Sequence, residues 1–310
     1  MKKILSTILA TVLAASMLAG CADTKKDSEK ESNKATVTVK NTYTDNVKIP
    51  VNPKKVAVFD MAVLDSIKAM NIDVEIAAPV SSIPESLSEY KKAVNAGGIK
   101  EPDMEKLFEF EPELIIISGR QADFQEELQK IAPVWYVDVN HENLLETFER
   151  EYTYFGEIFN KQDKVKEKIN SIKTSIEKFT KENAITEKAL ILLTNNGKIS
   201  AYGTGSRFGL IHDVLKVPVA DDTLKASTHG QEVGYEYISK TNPDIIYVVD
   251  RTVIAGGNVG ASDVMDNALV KTTNAYKNNK IVYLDPELWY LVGFGLNSME
   301  QMISEIDSAV

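Results

Sequence analysis

An internal repeat constrains the fold of this 310-residue chain more than any other feature of its sequence. The segment EKLFEFEPELIIISGR aligns with EYISKTNPDIIYVVDR, which lies 131 residues later. Each copy begins with glutamate, continues through proline into a short apolar run and ends with arginine. The matched pairs are Glu105 and Glu236, Pro112 and Pro243, Ile115 and Ile246, and Arg120 and Arg251. The repeat predicts two lobes with the same topology.

The regions around the repeat alternate between short apolar runs and helical spacing. Apolar runs occur at KKVAVFD (54–60), ELIIIS (113–118) and DIIYVVD (244–250), and KATVTVKNTYTDNVKIP (34–50) alternates like a hairpin. Strands that alternate with helices are typical of parallel βα units. We therefore expect two similar Rossmann-like α/β lobes, at 36–140 and 183–310, with a ligand cleft between them.

Residues 141–182 do not follow this alternation. From 142 to 182 the sequence has no proline and one glycine, and its apolar residues recur three or four positions apart. That spacing is typical of an amphipathic helix. It predicts a bridging helix between the lobes, either as one long helix or as two that are nearly collinear.

The N-terminal sequence MKKILSTILATVLAASMLAGC has the features of an export signal. Two lysines precede an apolar run, and small residues precede Cys21, the single cysteine. We expect a lipoprotein signal peptide at 1–20 and a lipid on Cys21, although an ordinary signal peptide with an incidental cysteine is the alternative. The polar residues that follow predict a flexible tether at 21–35. The mature protein would be anchored on the extracytoplasmic face of the cell membrane.

Charge and motif content argue against several functions. A formal net charge of −10 does not suit a nucleic-acid-binding protein. The chain has neither G-x-S-x-G nor H-E-x-x-H, and three scattered histidines do not suit a zinc-uptake protein. Asp60, Asp65 and Asp250 follow or adjoin strand ends, but no base is paired with them. We expect a monomeric, non-enzymatic binding protein; a secreted α/β enzyme for an anionic substrate is the alternative.

Arginine is used sparingly in this chain. Only four of the 35 basic residues are arginines, and Arg120 and Arg251 each follow the strand of the repeat. Ligands of parallel α/β sheets bind beyond the carboxyl ends of the strands, and the forked guanidinium suits oxygen-rich anions. Arg207 lies in GTGSRFG, which differs by one residue from a dinucleotide-binding motif and is better interpreted as a tight turn. We expect these three arginines in the cleft, unless each pairs with an acidic residue.

One histidine and two aromatic residues are further candidates. His229, in STHG, precedes Glu236 by seven residues and matches Gly98 of the first lobe, so its loop should lie at the same cleft edge. Trp289 and Tyr290, in PELWYLVGFG, follow the last predicted strand, where aromatic rings can pack on a planar ligand. A phenol oxygen is also a hard metal donor, although Tyr290 could equally pack within its lobe.

The remaining two histidines are not candidates for the site. His212 lies among apolar residues and is expected to be structural. His141 begins the bridging segment and is expected to be exposed.

These motifs together resemble one family, the ferric catecholate (petrobactin-type) siderophore-binding lipoproteins of iron ABC importers, which are class III periplasmic-type substrate-binding proteins. The resemblance runs from VNPKKVAVFD to the C-terminus and is sharpest in LIIISGRQ, GKISAYGTGSRFGLIHDV, KASTHGQEVGYEYISKTNPD, VVDR and LWYL. It implies a binder that delivers an Fe(III)-siderophore to permease subunits with a cytoplasmic ATPase and has no intrinsic cofactor. Haem or a corrinoid is the alternative ligand.

The resemblance also implies roles for individual residues. Three cleft arginines would surround the anionic iron complex, and these fall on Arg120, Arg207 and Arg251. A histidine and a tyrosine, His229 and Tyr290, would complete the coordination of iron when the siderophore leaves positions open.

One surface glutamate per lobe would contact the permease. These fall on Glu105 and Glu236, the first residue of each copy of the repeat. A carboxylate in the first turn of a helix is also favourable by itself, and both roles are compatible.

Overall fold

The computed structural model of the protein describes residues 35–41, 45–183 and 185–310. The predicted signal peptide, Cys21 and the tether as far as residue 34 lie outside these residues. Of the helices described, none is both long and apolar enough to cross a lipid bilayer. The described chain opens with the predicted hairpin, in which β1 (Thr36–Val39) pairs antiparallel with β2 (Val47–Pro50).

The first α/β unit is built on a five-stranded parallel sheet. Its elements in chain order are β3 (Lys55–Val58), α1 (Met61–Ala69), β4 (Glu75–Ala78), β5 (Val94–Asn95), α2 (Met104–Phe110), β6 (Leu114–Ile117), α3 (Gln125–Leu128) and β7 (Val134–Tyr136). The spatial order is β5-β4-β3-β6-β7. All four residues of β6 are buried, as expected for a central strand with helices on both faces of its sheet.

The segment after this sheet forms two helices, α4 (Leu144–Ile158) and α5 (Gln162–Glu182). They are not collinear, so this part of the prediction is wrong. The chain reverses at Asn160, whose φ of 53° is left-handed, and Lys173 of α5 lies 2.7 Å from Glu149 of α4. Asparagine tolerates this conformation and ends helices for that reason. The segment 141–182 therefore contains two helices that pack side by side, and not one long helix.

The second α/β unit also has five strands, but one of them is antiparallel. Its elements are β8 (Ala189–Asn195), β9 (Lys198–Tyr202), β10 (Gln231–Val233), α6 (Tyr235–Thr241), β11 (Ile245–Asp250), α7 (Arg251–Ala255), α8 (Ala261–Met265), α9 (Asn274–Lys277), β12 (Ile281–Leu284) and α10 (Ser298–Asp307). The spatial order is β10-β9-β8-β11-β12. Asn196 and Gly197, with φ of 49° and 89°, form the tight turn that reverses β9 against β8.

The sequence repeat corresponds to a structural repeat. Helices α2 and α6 occupy equivalent positions, and each ends at a residue in the left-handed conformation, Glu111 or Asn242. Leu107 and Ile238 are the fully buried residues of the two helices. Strands β6 and β11 then lie between equivalent neighbours, β3 and β7 in one sheet and β8 and β12 in the other. The predicted similarity of the two units at this point is confirmed.

One apolar core joins the two units. A single cluster of buried side chains includes Val56 of β3, Phe148 of α4, Ile172 of α5, Tyr247 of β11 and Met299 of α10. A large displacement of one sheet relative to the other would expose part of this apolar surface to water. We therefore expect small movements between the units.

Candidate ligand-binding site

The two arginines of the repeat lie immediately beyond the carboxyl ends of equivalent strands. Arg120 is in a short 3₁₀ turn, Gly119–Phe124, that follows β6. Arg251 is the first residue of α7, which follows β11 and is capped by the Asp250 side chain. The shared local sequence thus places one cationic side chain at the same edge of each sheet.

Tyr290 brings these arginines together. It lies in the helical turn Glu287–Val292 after β12. Its backbone carbonyl accepts hydrogen bonds from Arg120 Nη2 at 2.9 Å and from Arg207 Nη2 at 2.8 Å. The guanidinium carbons of Arg207 and Arg251 lie 4.2 and 5.4 Å from the centre of its ring, within the range of cation–π attraction. Three arginines from distant parts of the chain therefore meet on one residue.

This arginine cluster carries uncompensated positive charge. No carboxylate of the described residues forms a salt bridge with Arg120, Arg207 or Arg251. Burial lowers the pKa of Arg207, and the neighbouring charges of Arg120 and Arg251 lower it further. The buried Nε of Arg251 has no hydrogen-bond partner among the described residues. The predicted alternative, in which each arginine pairs with an acidic residue, does not hold here.

Arg150 behaves differently from the other three arginines. It donates from Nη2 at 2.8 Å to Glu151, whose side chain is buried, and also to the carbonyl of Asp138. Burial raises the pKa of Glu151, while hydrogen bonds from Trp135 and Arg150 oppose that shift. Arg150 is thus a structural ion-pair partner and a useful comparison for the cluster.

The His229 loop adjoins the cluster through Tyr202. The Tyr202 hydroxyl donates to the His229 carbonyl at 2.9 Å, and its ring packs against Phe208 beside Arg207. Gly230, with φ of 71°, approaches the Tyr202 ring so closely that a Cβ would lie 2.7 Å from it. The His229 side chain is exposed and forms no hydrogen bond to a described residue, so its imidazole is accessible.

The Tyr202 hydroxyl stays protonated in this environment. Burial raises the pKa of Tyr202 to about 12, although the positive charges of Arg207 and Arg251 oppose that shift. The hydroxyl therefore remains a hydrogen-bond donor to the His229 loop at neutral pH.

Trp289 does not line the cluster, and the expectation that it contacts a planar ligand is wrong. Its side chain is 2% exposed and lies near Phe208 in the core. Its Nε1 donates to Glu305 Oε2 at 2.6 Å. Trp289 and Tyr290 are successive residues of a helical turn, so their side chains leave the backbone in different directions. Trp289 instead fixes the turn that presents Tyr290.

His141 lies at the cluster, although it was expected to be exposed. It is partly buried, with its ring 6.1 Å from that of Phe294, and its Nδ1 has no partner among the described residues. Burial first, and then the charge of Arg207, lower the pKa of His141 to about 4. The sequence does contain an indication of this position, because His141 follows β7 and ligands of parallel sheets bind beyond the carboxyl ends of the strands.

His212 has the structural role expected of it. It is buried, and its Nδ1 lies 2.8 Å from the carbonyl of Val217.

Glu105 and Glu236 occupy equivalent exposed positions. Each is the second residue of its helix, α2 or α6, and each carboxylate lies in the first turn, where it interacts favourably with the helix dipole. They form a pair of matched acidic sites on the two units.

Metal donors are sparse in the described part of the chain. Within it, no group of three or more His, Cys, Asp or Glu residues is arranged to hold a metal ion. Beside the arginine cluster, His229 offers an imidazole and Tyr290 a phenol. An anionic complex that brings most of its own metal donors would suit this arrangement.

Comparisons with known proteins agree with this geometry. The profile of the periplasmic binding protein family matches residues 56–288. The chain is 45% identical over 278 residues to the petrobactin-binding protein YclQ of Bacillus subtilis, covering 88% of each chain. It is 33% identical over 264 residues to the ferric-anguibactin-binding protein FatB of Vibrio anguillarum, covering 82% of this chain and 81% of that protein.

The fold has close counterparts among solved structures. The crystal structure of YclQ from Bacillus subtilis superposes with a TM-score of 0.85 at 44% identity, covering 89% of this chain and 99% of that one. The siderophore-binding protein BauB, solved with two acinetobactin molecules and ferric iron, gives a TM-score of 0.80 at 30% identity, covering 89% and 98%. The predicted two-lobed α/β fold is confirmed.

The uncompensated charge at the cluster predicts an unusual effect on stability. We expect Arg207→Met to raise the free energy of unfolding by about 1 kcal/mol, because a partly buried cation without an acidic partner is replaced by an apolar side chain of similar length. Arg120 would still donate to the Tyr290 carbonyl. Urea denaturation of the ligand-free protein measures the change.

Arg150→Met is the matched control for this substitution. It should lower the free energy of unfolding by about 3 kcal/mol, because it leaves the buried Glu151 without its cationic partner. If Arg207→Met destabilised the protein as much as Arg150→Met, the cluster would not carry uncompensated charge.

Proposed function

Because the chain belongs to the periplasmic binding protein family, we propose that it captures a ferric catecholate siderophore of the petrobactin type outside the cytoplasmic membrane and delivers it to an ABC importer. The observation that carries this proposal is the meeting of Arg120, Arg207 and Arg251 on Tyr290, with no carboxylate of the described residues as partner. The relative YclQ is a petrobactin-binding protein, which supports the choice of ligand class.

The chemistry of such a ligand matches the cluster. Ferric iron is a hard cation that prefers oxygen donors, and catecholates supply these oxygens in a complex with net negative charge. Arginine remains charged at neutral pH and offers several donors in a fixed plane, so three guanidinium groups can both balance the charge and bond the catecholate oxygens. Two haem propionates would need fewer cations than this.

We assign His229 and Tyr290 a conditional role in iron coordination. A siderophore with four donor atoms leaves two of the six coordination positions of Fe(III) open, and an accessible imidazole and phenol can fill them. A siderophore with six donors leaves none, and the two side chains would then contact only its outer surface. The iron arrives with the ligand as cargo, so the protein needs no resident cofactor.

The same proposal includes the route of delivery. Cys21 would carry the lipid that holds a monomeric protein at the membrane, and Glu105 and Glu236 would contact the two halves of the permease. The equal positions of these glutamates on α2 and α6 support a partner with two similar docking surfaces.

A fluorescence titration tests the proposed function. Trp289 precedes Tyr290 in the chain, so an iron complex bound at the cluster should quench its emission. We expect saturable quenching by a ferric catecholate with a Kd below about 1 μM, and weaker binding of the iron-free ligand. Quenching by haem alone would favour a haem carrier, and chemical turnover of any ligand would favour an enzyme.

Side-chain replacements at His229 and Tyr290 separate coordination from organisation of the cluster. We expect His229→Ala and Tyr290→Phe each to weaken binding of a four-donor ferric complex at least about tenfold and to alter its ligand-to-metal absorbance, while a six-donor complex binds normally. Tyr290→Phe keeps the aromatic ring beneath Arg207 and so serves as the control for Tyr290→Ala. Tyr290→Ala removes that ring and should weaken binding of both the four-donor and the six-donor complex. Unchanged absorbance and affinity in His229→Ala and Tyr290→Phe would exclude direct coordination.

The docking role of the glutamates predicts a separation of binding from uptake. The double variant Glu105→Ala, Glu236→Ala should bind the ferric siderophore as the wild type does but support much slower uptake of radioactive iron by cells. Glu109→Ala, an exposed position on the same helix as Glu105, is the control. Normal uptake with the double variant would remove the assignment.

A further inference from the structure

Asp65 is a buried carboxylate that the binding chemistry does not use. It lies on α1 of the first unit and is 5% exposed. Among the described residues it forms no salt bridge, and nearby Lys68 pairs instead with Glu89 and with the carbonyl of Ser86. Burial of a carboxylate is costly unless hydrogen bonds satisfy it. The hydrogen-bond partners of Asp65 should therefore show which part of the structure it stabilises.

The hydrogen bonds of Asp65 reach the far end of the chain. Its Oδ2 accepts from the backbone N–H groups of Asn297 and Ser298 at 2.9 and 2.8 Å, and Oδ1 lies 3.4 Å from the Asn297 side-chain amide. These residues begin α10, the last helix after the second sheet. A side chain of the first unit thus caps a helix that follows the second sheet, whereas Asp60, Asp103 and Asp250 cap helices next to them in sequence.

Neighbouring contacts hold the same segment against α1. Ser66 Oγ accepts from the backbone of Leu296 at 2.9 Å, and the Tyr152 hydroxyl donates to the carbonyl of Phe294 at 2.9 Å. Gly295 lies so close that a Cβ there would be 2.5 Å from Asp65 Oδ2 and 2.6 Å from the carbonyl of Ala62. The segment 293–298 is therefore fixed to α1 by side-chain bonds and by close backbone packing, and to α4 by the Tyr152 hydroxyl.

The segment that precedes it carries Tyr290. At its start this stretch is held by Glu305 of α10, which accepts from the backbone of Asp285 at 2.8 Å and from Trp289 Nε1 at 2.6 Å. At its end it is held by Asp65. This stretch therefore connects the attachment at Asp65 to the Tyr290 carbonyl, which accepts a hydrogen bond from Arg120 of the first unit.

We propose that Asp65 is a positioning residue for the ligand-binding site, because it anchors the Tyr290 segment to the first unit and so sets the spacing of Arg120 from Arg207. It acts through Tyr290 and touches no ligand itself. The effect on ligand affinity rests on the proposed function, whereas the anchoring can be tested without any ligand.

The ligand-free test is hydrogen exchange of backbone amides. In Asp65→Ala the amides of 287–298 should exchange at least about tenfold faster than in the wild type, because two of them lose their side-chain acceptor and their neighbours lose one of the attachments of the segment. Asp103→Ala, which removes the cap of α2 within the first unit, is the control and should leave this segment unchanged. Equal protection of 287–298 in Asp65→Ala and the wild type would overturn the proposal.

The binding test uses the iron(III) complex of a bis-catecholamide with four donor oxygens. Asp65→Ala should raise its Kd about tenfold, the loss expected when one hydrogen bond to a charged group is misplaced. Asp65→Asn should restore most of the affinity, because the amide oxygen can still accept from the helix N-terminus. Asp103→Ala should bind as the wild type does.

A double-mutant cycle distinguishes positioning from general destabilisation. If Asp65 acts through the contact between Tyr290 and Arg120, the loss caused by Asp65→Ala should shrink in an Arg120→Ala background. A loss of equal size in both backgrounds would overturn the proposal.

Two other results need their own interpretation: an Asp65→Ala variant that does not fold, and a wild type that does not bind the ferric complex. If Asp65→Ala does not fold, Gly295→Ala can be used instead, because a Cβ at this position would push against Asp65. The amides of 287–298 should then exchange faster than in the wild type. Unchanged exchange in this variant would count against the proposal. If the wild type fails to bind the ferric complex, the proposed function fails while the exchange result still decides the anchoring.

Discussion

The backbone carbonyl of Tyr290 is the acceptor on which the site depends. It receives hydrogen bonds from Arg120, which follows a strand of the first sheet, and from Arg207, which follows a strand of the second. The Tyr290 ring lies beneath the guanidinium of Arg207 and near that of Arg251. Three like charges are thereby held close together by one neutral residue. This arrangement creates a concentrated cationic surface that an oxygen-rich anion can neutralise.

Like charges held this close together repel one another, and the rest of the fold has to oppose that repulsion. The arginines are partly buried and repel one another, as the lowered pKa of Arg207 indicates. The apolar core that passes through α4, α5 and both sheets supplies the opposing free energy. The bonds of Asp65 to the start of α10 add a specific constraint on the Tyr290 segment. A pre-organised site of this kind loses less freedom when its ligand binds.

Much of this could be predicted from sequence because it follows local patterns. The repeat predicts equivalent helices and strands and therefore the edge at which Arg120 and Arg251 lie. The direction of a side chain is harder to predict from sequence. Trp289, for example, points into the core only because of its position in one irregular helical turn. The reversal at Asn160 depends on one left-handed residue. The surroundings of His141 and Asp65 depend on contacts between distant segments, which no local pattern contains.

The most direct test of the account is a crystal structure of the protein with a bound ferric catecholate, in which anomalous scattering locates the iron. The account predicts iron beside Tyr290, with catecholate oxygens within hydrogen-bonding distance of Arg120, Arg207 and Arg251. Iron bound elsewhere on the protein, or a ligand that leaves these three guanidinium groups without contact, would contradict it.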